Sequence, residues 1–203
     1  FETKAPMASA LPRNGVARVV NGEIEYVPNP DYFGPDSLTY RVTDEEGFIS
    51  NTATVTITVN PINDPPIGFD DPDTGTIQFL EDDPLTPVAI PWDVLLANDL
   101  PGPANETGQV LSIDSVADLN GQPGTAVNVA VTNDPINRVV LVTPQLDQNG
   151  IAKFSYVVRD DQANFNTALA PATVTIEFLP VNDAPVTDPN LHVARGYSVQ
   201  EDP

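Results

Sequence analysis

Residues 53–59 read Ala53-Thr-Val-Thr-Ile-Thr-Val59, and 119 positions later residues 172–178 read Ala172-Thr-Val-Thr-Ile-Glu-Phe178. In each run an apolar residue alternates with a polar one, the period of a strand that buries one face and wets the other. The similarity extends in both directions. Upstream, Leu38-Thr-Tyr-Arg-Val-Thr-Asp44 is answered by Phe154-Ser-Tyr-Val-Val-Arg-Asp160. Downstream, Pro61-Ile-Asn-Asp-Pro-Pro66 is answered by Pro180-Val-Asn-Asp-Ala-Pro185, and Phe79-Leu-Glu-Asp82 by Val199-Gln-Glu-Asp202. Internal repetition at this spacing means a chain of like units. Residues 1–65 read as the C-terminal half of one repeat, 66–185 as a complete repeat, and 186–203 as the first strand of the next.

For the complete repeat, alternation and turn signals such as Asn120-Gly121 and Asn149-Gly150 place seven strands near 76–80, 87–96, 109–116, 126–132, 138–143, 152–159 and 172–179. Seven short strands in such a span predict an all-β fold of tandem Greek-key immunoglobulin-like sandwiches. Pro91 and the apolar group Trp92, Val94 and Leu95 predict a bulge in the second strand, with Trp92 filling the core. No stretch carries helical spacing. The first repeat shows only its last four strands, from Gly15 onward. Its uncovered face predicts either completion by preceding chain or a strand swapped in from a neighbouring molecule, around His192 to Val199.

Composition narrows the function. The 203 residues hold 8 Lys and Arg against 29 Asp and Glu, a formal charge of −21, which repels nucleic acid and anionic lipid. Cysteine is absent and His192 is the single histidine, so thiolate chemistry and sulfur- or histidine-rich metal sites are excluded. No apolar run reaches the length of a membrane span, and Phe1 opens no signal peptide, so the chain reads as an internal piece of a longer protein with no membrane insertion in this part. The 22 prolines, about twice the usual ~5%, suit short strands with stiff turns.

The acids are not spread evenly. In a Greek-key sandwich the linker from the preceding repeat meets the loop after the second strand and the loop between the last two. That geometry gathers Asp31, Asn63, Asp64, Asp70, Asp71, Asn98, Asp99, Asp160 and Asp161 at the first junction, with Glu106 in the same loop as Asn98. At the second junction it gathers Glu81, Asp82, Asp147, Asn182 and Asp183. Like charges so crowded oppose one another unless a cation sits among them. Oxygen-only donors with irregular spacing select Ca²⁺ ahead of Mg²⁺.

The run Tyr26-Val-Pro-Asn-Pro-Asp-Tyr-Phe-Gly-Pro-Asp-Ser-Leu-Thr-Tyr40, the Val42-Thr-Asp44 and Gly47 that follow it, and the Asn-Asp-Pro linkers with their later Glu-Asp pairs resemble the tandem cadherin-like repeats of large bacterial surface proteins, RTX adhesins included. The resemblance spans nearly the whole chain. It implies a secreted or cell-surface, Ca²⁺-stiffened extender segment, non-enzymatic, whose partners are neighbouring repeats of the same chain. It also implies Asn63, Asp64, Glu81, Asp82, Asn98, Asp99, Asp160, Asn182 and Asp183 as ligands. The loop Asn98-Asp-Leu-Pro-Gly-Pro-Ala-Asn-Glu106 departs from the family pattern in carrying fewer aspartates. An alternative is a carbohydrate- or protein-binding sandwich of an extracellular protein or enzyme, with Tyr32 and Phe33 as the contact residues.

Overall fold

The structure, a computed structural model, describes residues 7–72, 76–81, 87–145, 148–164 and 166–182. The predicted opening strand of a third repeat therefore lies outside the described residues, as do Asp82, Asp147 and Asp183.

The first unit contains β1 (Met7–Ala10), β2 (Gly15–Val20), β3 (Glu23–Pro28), β4 (Gly34–Arg41) and β5 (Ala53–Val59). Strands β1, β4 and β5 form one antiparallel sheet in that order, and β2 pairs with β3 in a hairpin. The hairpin turns at Asn21 and Gly22, both with positive φ, the conformation that matches the twist of the flanking strands. Strand β1 was not anticipated from the sequence. Met-Ala-Ser-Ala carries too little apolar contrast to show a period, and it becomes a strand by pairing with β4.

The second unit contains β6 (Ile77–Leu80), β7 (Val88–Pro91), the one-turn helix α1 (Trp92–Leu95), β8 (Ser112–Asp118), β9 (Val129–Asp134), β10 (Val139–Pro144), β11 (Gly150–Arg159) and β12 (Ala172–Leu179). Its two sheets run β7-β10-β9 and β6-β12-β11-β8, antiparallel except that β6 lies parallel to β12. Between them lies a core of Val, Ile, Leu and aromatic side chains centred on Phe154, Tyr156, Ile176 and Phe178, all essentially without solvent contact. Strands β11 and β12 alternate fully buried and half-buried positions, as their sequences require.

One expectation is corrected. The strand predicted over 87–96 ends at Pro91, and the chain turns into α1, where Leu96 N–H donates to Trp92 O at 2.8 Å. Four residues cannot display a 3.6-residue period, and proline's fixed φ suits the residue that opens a helix. Trp92 is buried in the core, its indole N–H donates to Asn133 Oδ1 at 3.0 Å, and the Arg138 guanidinium lies 5.0 Å from its ring centre.

The first unit is pinned by Asp36. Its carboxylate accepts the N–H groups of Arg13, Asn14 and Ser37 at 3.1, 2.9 and 2.8 Å and the Tyr26 hydroxyl at 3.0 Å. Burial pushes this carboxyl up, but the four hydrogen bonds outweigh it and hold it below the ordinary carboxylate range. Asp36 thus binds its proton less tightly folded than unfolded. Its stabilisation is present above the unfolded value of about 4 and is lost as pH falls through the lower folded value. Amide protection across residues 15–41, corrected for the intrinsic pH dependence of exchange, is expected to fall below that value in the wild type. Asp36→Asn should exchange faster at pH 7 and show a flatter pH profile.

Candidate metal centre

The linker after β5 is stitched to two loops of the second unit. Asn63 Nδ2 donates to Asp160 Oδ2 at 3.0 Å and to Asn164 O at 2.8 Å, while its Oδ1 accepts Gln109 Nε2 at 2.7 Å. Asp64 N–H donates to Glu106 Oε1 at 3.0 Å, and Ile67 and Leu100 exchange backbone hydrogen bonds at 2.8 and 3.0 Å. Asn63, Asp64, Glu106, Gln109 and Asp160 therefore meet where the linker enters the second sandwich. The sequence argument placed Asn63, Asp64 and Asp160 in one junction set; the structure joins the Asn63 and Asp160 side chains directly and brings Asp64 beside them by its backbone N–H.

Glu106 is the least comfortable member. It is 7% exposed, and its Oε2 is buried with no hydrogen-bond partner; Gln109 Oε1 is in the same condition. A Cβ at Gly102 would overlap that carboxylate oxygen, so glycine there leaves the space Glu106 occupies. The ion pairs among the described residues, Arg18–Glu25, Arg138–Asp93 and Arg159–Asp114, are all on the surface. None brings a base to Glu106 or to Asp160, itself 2% exposed. Among the described residues no three carboxylates converge closely enough to hold an ion by themselves, so a site here would also draw on amide and backbone oxygens. Hard oxygen donors, two of them buried and unpartnered, and uncompensated negative charge fit an oxygen-preferring divalent cation.

Asp70, Asp71, Asn98 and Asp99 form a second group, deeper and differently occupied. Asp70 Oδ1 accepts Thr173 N–H at 2.7 Å, and its carbonyl accepts Asn98 Nδ2 at 3.2 Å; Asn98 Oδ1 is buried without a partner. Asp99 Oδ1 accepts Phe69 N–H at 2.7 Å. Asp71 Oδ2 and Asp99 Oδ2 converge on the Tyr156 hydroxyl at 2.7 and 3.0 Å, and Leu95 O lies 2.8 Å from it. A phenol has one proton to donate and here faces three close acceptors. Burial, then hydrogen bonding to Asp71, pushes the Tyr156 hydroxyl far above its ordinary value, so it stays protonated. Burial likewise raises Asp99, against the opposing bonds from Phe69 and Tyr156. These carboxylates tie the loops around residues 68–71 and 95–99 to β11. The sequence placed Tyr156 only within a strand near 152–159; nothing local marks it as the hub of this network.

The remaining candidates are dispersed. Asp31 is exposed in the turn after β3, on a groove of about 400 Å³ that Asp64 and Asn105 also line. Asp161 is exposed and accepts Gln162 Nε2 at 3.0 Å. At the other end of the sandwich, Glu81 is buried and accepts Val181 N–H at 2.8 Å and Asn149 Nδ2 at 3.1 Å, with exposed Asn182 next in the chain after Val181. Tyr32 donates its hydroxyl to Pro35 O at 2.6 Å, which anchors its own loop.

Two sandwich units in series, joined by an oxygen-lined linker, define the class: tandem immunoglobulin-like repeats. The chain belongs to the bacterial Ig domain family, which matches residues 3–59 and 63–177. Among solved structures, human mucin-like protocadherin EC1-2 is similar at 18% identity and a TM-score of 0.44, over 87% of this chain and 84% of that one. No curated protein matches the sequence. Among the described residues no helix is long and apolar enough to cross a membrane.

Proposed function

We propose that this chain is a calcium-stiffened extender segment of a secreted or cell-surface bacterial adhesin, a spacer rather than a catalyst. In this reading residues 1–65 end one repeat, 66–185 form a whole one and 186–203 open another, with neighbouring repeats as the partners. The observation that carries it is Glu106 Oε2, a carboxylate oxygen buried beside the linker with neither a donor nor a base. Membership of the bacterial Ig domain family supports an extracellular module.

Asn63, Asp64, Glu106, Gln109 and Asp160 would hold the ion at the first junction; Glu81 and Asn182 belong to the second, with Asp82, Asp147 and Asp183 outside the described residues. The cation would supply the positive charge that this set lacks. The chain's own part is to fix the linker: Asn63 grips the loop at 160–164, Asp64 the loop at 104–106, and the prolines at 65 and 66 limit the backbone between them. Affinity on the order of 10⁻⁴–10⁻³ M is expected of such an extracellular site. Small-angle scattering of the purified chain should show a longer maximum dimension and a stiffer profile in millimolar Ca²⁺ than in chelator. Superimposable curves in the two buffers would refute the stiffening.

A further inference from the structure

Asn-Gly steps stand at Asn14-Gly15, Asn21-Gly22, Asn120-Gly121 and Asn149-Gly150. Each carries the same latent chemistry, because glycine sets no side chain in the way of an attack by its own nitrogen on the asparagine amide. Their surroundings separate them. Asn120 is held at both ends of its amide, donating Nδ2 to Val129 O at 2.9 Å and accepting Val129 N–H on Oδ1 at 2.8 Å. Asn149 donates Nδ2 to Glu81 Oε2 at 3.1 Å, and Gly150 already belongs to β11, opposite Phe178. At Asn14 the main chain is fixed instead: its N–H donates to Asp36 Oδ2 at 2.9 Å, its carbonyl accepts Asn29 N–H at 2.8 Å, and Gly15 packs against the Tyr26 ring.

Asn21-Gly22 has none of these restraints. Among the described residues neither the Asn21 amide nor the Gly22 N–H has a hydrogen-bond partner. Both residues are exposed, and a Cβ at Gly22 would meet nothing within 4 Å. The hairpin ladder ends with Val20 opposite Glu23, so the peptide joining Asn21 to Gly22 lies beyond it and can rotate without breaking a strand bond. The exposure belongs to the turn's place in the repeat. The corresponding turn of the second unit, between β9 and β10, carries Ile136 at 91% exposure.

We propose that Asn21 is a site of spontaneous deamidation, the first of these steps to convert, and that isoaspartate formed there loosens the β2–β3 hairpin while the second sandwich stays intact. Solvent hydroxide takes the Gly22 N–H proton, the nitrogen bonds to Asn21 Cγ, and the Cγ–Nδ2 bond breaks to release ammonia. Water then opens the cyclic imide. Addition at Cγ leaves aspartate; addition at the main-chain carbonyl leaves isoaspartate, whose backbone runs through the former side-chain carbons. Nothing is oxidised or reduced. Either product adds a negative charge to the chain's −21. Only isoaspartate lengthens the main chain, by a carbon, and the turn length that sets Val20 opposite Glu23 is then lost. The inference is independent of calcium.

The sparse bases make the test direct, since trypsin leaves the Asn-Gly steps in separate peptides, 14–18, 19–41, 42–138 and 139–153. The full chain is held warm in mildly alkaline buffer, sampled over weeks and mapped by mass. Peptide 19–41 should gain about 1 Da at least tenfold faster than the other three. In urea the rates should converge, because every step has glycine after asparagine. Another peptide leading in the folded chain, or the same spread in urea, would overturn the structural assignment. Asn21→Asp keeps the turn and lacks the amide, so its peptide 19–41 should gain nothing; a gain that persisted would move the reaction to Asn29. Amide exchange then compares the isoaspartate fraction of aged protein with fresh Asn21→Asp. Protection across residues 16–27 should be lost in the first and kept in the second, with β11 and β12 unchanged in both. Equal protection of the hairpin in the two samples would overturn the loosening.

Discussion

Tyr156→Phe is expected to destabilise the second sandwich by about 2–4 kcal/mol, because it deletes the one donor shared by two buried carboxylates. The ring is unchanged, so no cavity opens, and the loss isolates the hydroxyl. Asp71 and Asp99 are 8% and 7% exposed, and both aim an oxygen at that hydroxyl. Without it, two like charges remain close together in a poorly solvated space. Trp92, the single tryptophan and 4% exposed, reports on this unit alone in a urea titration. The expected result is a lower midpoint with an unchanged slope; a loss below about 1 kcal/mol would show that the hydroxyl does not hold the network. The pH dependence has a defined sign. Asp99 is raised by burial, so it binds its proton more tightly folded than unfolded. That contribution is complete below the unfolded value of about 4 and is lost as pH rises through the folded one. The second unit therefore gains from Asp99 in mild acid, where the first unit begins to lose from Asp36.

Glu106→Gln should have effects of opposite sign in chelator and in calcium. Glutamine keeps the shape and the Oε1 that accepts Asp64 N–H at 3.0 Å, but removes a buried charge with no counter-charge. In chelator, stability should hold or rise by up to about 1 kcal/mol. In calcium at about 100 times the dissociation constant, the wild type should gain about 2.7 kcal/mol from binding. A tenfold weaker site would keep roughly half of that gain. Exposed Asp118→Asn is the control that should behave as wild type. Equal calcium gains in Glu106→Gln and wild type would remove Glu106 from the ligand set.

Much of this was legible from residue order. The alternation in β5 and β12 and its recurrence 119 positions on determined the strands, the sandwich and the serial arrangement, because a period of two has one low-energy solution when one face is apolar. The absence of cysteine and the single histidine determined that any metal would meet oxygen. Short elements escaped, since neither α1 nor β1 is long enough to show a period.

What only the tertiary structure decided is how the acidic loops divide. Asp71 and Asp99 spend their oxygens on a hydroxyl 85 and 57 residues away, while Glu106, seven residues beyond Asp99, keeps one oxygen buried and unpartnered. Side-chain composition cannot distinguish these fates, because the partners are donors brought close by sheet packing rather than by sequence.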